Sequence, residues 1–309
     1  MAADTTPTGA RDRRRDLVRR AAAVGAALLV SLPSTLVAQK KLERKLPLGM
    51  EAAIRISNMV GSVVVHGWAK DTVFARATLA TGEELKMGGT YNGVKIFVES
   101  SDERDPKPTR LEVWVPSRVR LWVKTATAAI DVSGVDGGLD LYVVSGTIDV
   151  AGNPRELNAE AIDGDIHIVA STPWVRAKSA SGNVTFQGSS ADASFSTVSG
   201  AVKVGGGTFE RAKLETVTGD IGFSGNFERG GAFDFDTHSG AIDITMPDRA
   251  GASFTVVSIA GKIQNNLSKA SPVSGRFGRG QELNTDVNGG GPQVSVRTFK
   301  GPVTLRRAM

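Results

Sequence analysis

The sequence predicts an all-β chain, a single-stranded parallel β-solenoid with about 18–21 residues per rung. Three observations predict it. The first is a repeat: Ser145-Gly146-Thr147-Ile148-Asp149-Val150 returns as Asp163-Gly164-Asp165-Ile166-His167-Ile168, then from Ser181 and again from Ser199, so that Gly146, Gly164, Gly182 and Gly200 stand 18 apart. A fixed period of this size means stacked supersecondary units. The second is alternation. Leu121, Leu139, Leu157 and Val175 stand seven places before the Gly position, and Val123, Leu141, Ala159 and Ala177 five before. Ile130, Ile148, Ile166 and Val184 stand two after, and Val132, Val150, Ile168 and Phe186 four after, with polar residues between. Period-2 alternation puts two short strands in each repeat, one face in and one out. The third is that no segment keeps apolar residues at the i, i+3, i+4, i+7 spacing of a helix. The Ser-Gly pair reads as a turn whose Gly takes backbone angles forbidden to other residues. A right-handed coil is expected from the general preference of parallel crossovers.

Taken in order, residues 1–38 read as a secretory signal peptide. Arg11, Arg13, Arg14, Arg15, Arg19 and Arg20 form a basic run, Ala21 to Leu32 a short apolar stretch, and Leu36-Val37-Ala38 a cleavage site before Gln39. The apolar run is too short to span a membrane as a stable helix. Arg14-Arg15-Asp16-Leu17-Val18 also fits a twin-arginine signal loosely. Residues 43–118 read as an N-terminal cap and first rungs with longer strands, because Ile54, Ile56, Gly61, Val63 and Val65 already follow the repeat. Residues 119–309 read as the regular solenoid. Its period lengthens to 21 at Gly240 and Gly261, a long loop occupies 266–292, and Val294 to Leu305 make a terminal rung in which Lys300 and Pro302 suit an edge.

Charge and composition narrow the function classes. The chain has a net charge of +5, but residues 1–38 carry six Arg and three Asp, which leaves about +2 for the remainder. Nothing then favours a nucleic-acid partner. The absence of Cys excludes disulfides, thiol chemistry and a lipidated Cys anchor. The expected location is periplasmic or extracellular, with no membrane span in the mature chain.

Two outward groups are candidate sites. Asp131, Asp149 and His167 share one column on successive rungs, about 4.8 Å apart. Two carboxylates and an imidazole suit a divalent cation or acid/base work; a solvated face is the preferred reading, since outward charges need no special reason. Trp122, Lys124, Tyr142, Arg176 and Lys178 lie on the outer face of the strand before the Gly. Aromatic rings beside cations can hold sugars or anionic polymers, although the aromatic content is only 6%. Gly205-Gly206-Gly207 and Gly289-Gly290-Gly291 lack the Lys-Ser/Thr and the helix of a phosphate loop and read as turns. No cofactor is expected.

Val113-Trp114-Val115-Pro116 leading into Val119-Arg120-Leu121, the repeated Ser-Gly-x-Ile-x-Val, and Ile244-Thr245-Met246-Pro247 followed by Ser253 to Ile263 give the chain a resemblance. Over about residues 50–307 it resembles the bacterial putative-adhesin domain of unknown function, whose members include adhesin-like envelope proteins. The resemblance implies a β-solenoid and supplies no catalytic residues. The expectation is therefore a non-enzymatic, adhesin-like protein that meets an envelope glycan or protein through a flat face. The alternative is a polysaccharide lyase or hydrolase of the β-helix kind, which needs clustered acids in a groove walled by loops.

Overall fold

The structure, a computed structural model, describes residues 40–275 and 278–308. The signal peptide expected over residues 1–38 lies outside the described residues. Among those described, 23 strands join into one hydrogen-bonded system, as alternating β-branched and polar residues require. Each rung contributes one strand before its Gly and one after it. The strands before the Gly pair with one another as a first stack, and those after it as a second.

The N-terminal strands are β1 (Lys40–Pro47), β2 (Ala53–Asn58), β3 (Gly61–Trp68), β4 (Thr72–Leu79), β5 (Glu83–Thr90), β6 (Gly93–Ser100) and β7 (Thr109–Pro116). Strands β2 and β3 form one rung, and β6 and β7 pair parallel to them on the outer side. Antiparallel β5 covers β6, β4 covers β7, and β1 adds to β4. The last strand presents Lys40, Lys41, Glu43, Arg44 and Lys45 along the final edge, a charge density that discourages pairing with another chain.

The regular rungs follow: β8 (Arg120–Thr125), β9 (Ala129–Ser133), β10 (Gly138–Ser145), β11 (Ile148–Gly152), β12 (Glu156–Asp163), β13 (Ile166–Ser179), β14 (Val184–Ser196), β15 (Val202–Thr216) and β16 (Ile221–Thr237). From β13 onward a single long strand runs through the corner and serves both stacks. The pairing is parallel and in register: Leu121 meets Leu139, which meets Leu157, which meets Val175. In the second stack Ile130, Ile148, Ile166 and Val184 align in the same way. These columns are buried in one continuous core. Toward the C-terminal end phenylalanines fill it, with the Phe186 and Phe195 rings 5.0 Å apart and the Phe209 and Phe223 rings 5.5 Å apart. The nineteenth residue of the rung at Gly219 is absorbed by a bulge, where Gln187 faces Gly205 but Ser190 faces Phe209.

Gly146, at φ 156°, takes the backbone angle expected of the turn, but the later repeat glycines serve a different purpose. Gly164, Gly182, Gly200, Gly219 and Gly240 are not at positive φ. Instead, a Cβ on any of them would overlap the carbonyl oxygen of the equivalent Gly one rung earlier. Close backbone stacking at the turn, not backbone angle, excludes a side chain there. From Gly182 onward a Ser or Thr three places before the Gly holds the turn. Ser179 Oγ accepts from Gly182 N at 2.9 Å and donates to Gly164 O at 2.9 Å. Thr197 Oγ1 accepts from Gly200 N at 3.3 Å and donates to Gly182 O at 2.9 Å. Replacing Thr197 with Val keeps the shape and removes both bonds, leaving a buried N–H and a shared carbonyl. The expected loss is about 1–3 kcal/mol in urea denaturation; a change near zero would mean that the hydroxyl ladder contributes nothing.

The C-terminal strands are β17 (Ile242–Met246), β18 (Ala252–Ser258), β19 (Ile263–Asn265), β20 (Val273–Ser274), β21 (Gln281–Val287), β22 (Gln293–Thr298) and β23 (Val303–Arg307). The rung that is last in sequence is not last in space. Strand β22 lies between β16 and β18, and β23 between β17 and β19. The segment expected as a loop supplies β21, which closes the outer side of β18 antiparallel. Pro302 is therefore not an edge signal. It occupies the position just after Gly, where Ala241 N donates to Asp220 Oδ1 and Ala201 N to Asn183 Oδ1. The N–H at this position goes to a side chain rather than to a ladder carbonyl, so a proline costs the sheet nothing.

Candidate binding groove

The outward residues of the first stack form two ladders, because register carries each polar position onto the next rung. One runs Lys95, Arg55, Trp122, Asp140, Asn158, Arg176. The other runs Phe97, Ser57, Lys124, Tyr142, Glu160, Lys178 by the same pairings. Between them, from β6 to β12, lies an open groove of about 410 Å³. Trp122, Lys124 and Tyr142 line it; Arg176 and Lys178 continue the two ladders one rung beyond.

Cations cover the rings. The Arg55 and Arg120 guanidinium carbons lie 5.4 and 5.0 Å from the Trp122 centroid, Lys124 Nζ 5.5 Å from Tyr142, and Lys95 Nζ 4.7 Å from Phe97. Arg120 reaches Asp140 at 3.6 Å and Glu156 at 3.5 Å. Asn158 Oδ1 is buried with no hydrogen-bond partner among the described residues. Sequence reasoning missed Arg55 and Lys95. The first was legible, since Ile54 and Ile56 flank it as Leu121 and Val123 flank Trp122. The second was not, because β6 stacks out of sequence order. Farther along the same face the cations are paired: Arg211 with Asp192 at 3.0 Å, Arg297 with Asp236 at 3.1 Å, and Lys213 with Glu215 at 2.8 Å. The Lys213 ammonium is held above its ordinary range chiefly by its hydrogen bond to Glu215.

On the second stack Asp131, Asp149 and His167 do stand in register on neighbouring strands. Among the described residues, no three His, Cys, Asp or Glu side chains form a group able to hold a metal ion. Replacing the three together with Asn, Asn and Gln is expected to move stability by no more than about 0.5 kcal/mol per site. Calcium should not change the melting temperature of either form; a calcium-dependent rise in the parent that the variant lacks would overturn this. A further aromatic ladder runs Phe74, Trp114, His66 at the N-terminal end, with adjacent centroids 5.3 Å apart. His66 Nδ1 lies 3.0 Å from Ser133 Oγ. Among the described residues no carboxylate bonds to that imidazole, so the pair lacks the orienting third group of a hydrolytic triad.

A family model described as Toastrack DUF4097 matches residues 131–306, more than half of the chain. The chain belongs to the Toastrack DUF4097 family. Three solved structures are similar to this Toastrack chain at low identity. A putative adhesin from Bacteroides fragilis NCTC 9343 is 13% identical, covering 88% of this chain and 99% of its own, with a TM-score of 0.39. A putative adhesin from Parabacteroides distasonis ATCC 8503 is 10% identical, with coverages of 88% and 98% and a TM-score of 0.46. A putative lipid binding protein from the same organism is 12% identical, with coverages of 87% and 97% and a TM-score of 0.47. No curated protein matches the sequence. Among the described residues, no helix is long and apolar enough to cross a membrane.

Proposed function

We propose that this Toastrack chain is an exported, non-enzymatic parallel β-solenoid, right-handed and adhesin-like, that contacts an envelope glycan or protein through the outer face of its first stack. One observation carries the reading: that face holds in-register ladders and an open groove of mixed cations, aromatics and acids, with tight turns rather than walls beside it. An enzyme of the β-helix kind needs its acids clustered. Here Asp140 and Glu160 sit on different rungs in different ladders, and Asp140 is tied to Arg120. Its location is read from the basic and apolar run of residues 1–38.

The test is co-sedimentation of the protein, purified from an exporting host, with cell-wall and membrane fractions. The N-terminus of the exported form is sequenced alongside. Saturable sedimentation, no turnover of polysaccharide, and a chain beginning near Gln39 are the expected results. Retention of residues 1–30, absence of sedimentation, or release of sugar fragments would overturn the corresponding part.

A further inference from the structure

We propose that the groove binds an acidic oligosaccharide, with pyranose faces against Trp122 and Tyr142 and a sugar carboxylate held by Arg55, Lys95 and Lys124. This rests on the contact reading above and names the ligand class for the same face. The first support is an imbalance in ion pairing. Toward the C-terminal end of the face Arg211, Lys213 and Arg297 each meet a carboxylate at 3.2 Å or less. At the N-terminal end Arg55, Lys95 and Lys124 have no ion pair among the described residues, and each stands over an aromatic ring. Cations stacked on rings and left without a counter-ion are poised for an anion from outside.

Geometry narrows the anion. The groove crosses five strands, from β6 to β12, a length of about 19 Å at the strand spacing. That accommodates several units of a linear chain rather than a single ion. Every backbone group on these strands belongs to an interior ladder, so an extended peptide finds no free edge there to pair with. A carboxylate that draws the Arg55 guanidinium or the Lys124 ammonium off its ring leaves that ring of Trp122 or Tyr142 open to the apolar face of its own sugar.

The far end of the groove selects against dense polyanions. Asp140 and Glu160 line it and would repel a polyphosphate, while both accept hydrogen bonds from hydroxyls. One charge beside hydroxyl-rich rings is the chemistry that these residues complement.

Calorimetric titration of the exported protein with a hexuronate tetramer, its methyl ester and inorganic polyphosphate tests the proposal. The free acid is expected to bind, and the ester roughly tenfold or more weakly, since each lost charged hydrogen bond costs about 1.5–3 kcal/mol. Trp122→Ala and Tyr142→Ala should each weaken the acid roughly tenfold. The triple Arg55→Gln, Lys95→Gln, Lys124→Gln variant should bring acid down to ester. Asp140→Asn with Glu160→Gln should raise polyphosphate binding. Unchanged melting temperatures establish that these outward variants fold. Absence of binding to the acid, equal affinity for ester and acid, polyphosphate binding tighter than the uronate, or indifference to Trp122→Ala would overturn the proposal. Envelope sedimentation that persists while the uronate fails leaves the contact reading standing and removes only the ligand class.

Discussion

Gly182→Ala is expected to destabilise the protein by about 3 kcal/mol or more, the upper end of overpacking costs. A methyl at that position would collide with Gly164 O, the Gly164 carbonyl carbon and Asp165 N. All three are backbone atoms in a neighbouring rung, and none can rotate away as a side chain would. Relief would require the rungs to part at the turn. That would also strain the bonds in which Ser179 Oγ accepts from Gly182 N and Thr197 Oγ1 donates to Gly182 O. Gly222→Ala is the matched control. Its added methyl would meet nothing nearer than Lys203 Cγ at 3.9 Å, and Gly222 is not at positive φ. There the change should be neutral or slightly stabilising, by up to about 1 kcal/mol, because it lowers the entropy of the unfolded chain. Denaturation of both variants makes the comparison. Similar midpoints would mean that the turn glycines are tolerated for reasons other than close stacking.

What the sequence made legible was position within a rung. The 18-residue spacing placed Leu121, Val123, Ile130 and Val132 inward and Trp122 and Asp131 outward, because a period of 2 tied to a fixed repeat leaves one consistent register. It was silent on two matters. The first is the pair of residues beside each turn, where burial runs against polarity. Thr197 is 4% exposed and Val198 52%; Ser258 is 1% exposed and Ile259 45%. The hydroxyl is drawn in by its bonds to the turn backbone, and the aliphatic side chain next to it projects from the corner. Hydrophobicity alone assigns both the wrong way. The second is the order of rungs. A repeat gives each rung the same grammar and says nothing about which rungs touch, and the ordinary expectation that sequence neighbours are spatial neighbours fails at both ends. Strands β6 and β7 stack outside β2 and β3, and β22 and β23 insert before β18 and β19.

That second silence also hid the Lys95 end of the groove. Trp122, Lys124 and Tyr142 belong to consecutive rungs, so alternation alone brought them together. Lys95 reaches the same face through a strand some 25 residues earlier in the chain, and Arg55 joins it because β2 pairs with both β6 and β8. The low aromatic content was a poor guide for a related reason. Many of the phenylalanines are spent in the core of the C-terminal rungs, while Trp68, Phe74, Phe97, Trp114, Trp122 and Tyr142 sit outward or half-buried near the other end. Composition averages over that segregation.

Ile166→Asp is expected to cost several kcal/mol, whereas His167→Asp costs within about half a kcal/mol. Ile166 is fully buried in the second stack between Ile148 and Val184. A carboxylate there has only aliphatic neighbours above and below. It either stays charged in a low-dielectric column or takes up a proton with a raised pKa. The sign of the pH dependence follows. A carboxyl whose folded-state pKa lies above its unfolded value of about 3.9 penalises folding increasingly as pH rises from that value, and the penalty levels off above the folded-state pKa. Lowering the pH toward about 4 should therefore narrow the gap between the two variants. His167 is exposed beside Asp149 and Thr185, so the same group placed there meets water and one repelling neighbour. Because each rung rests on its neighbours, the inward change should also raise hydrogen exchange in the rungs of Gly146 and Gly182, while the outward change leaves exchange as in the parent. Equal destabilisation by the two substitutions, or a gap that widens as pH falls, would contradict the inward placement of Ile166 and with it the register that builds both ladders of the groove.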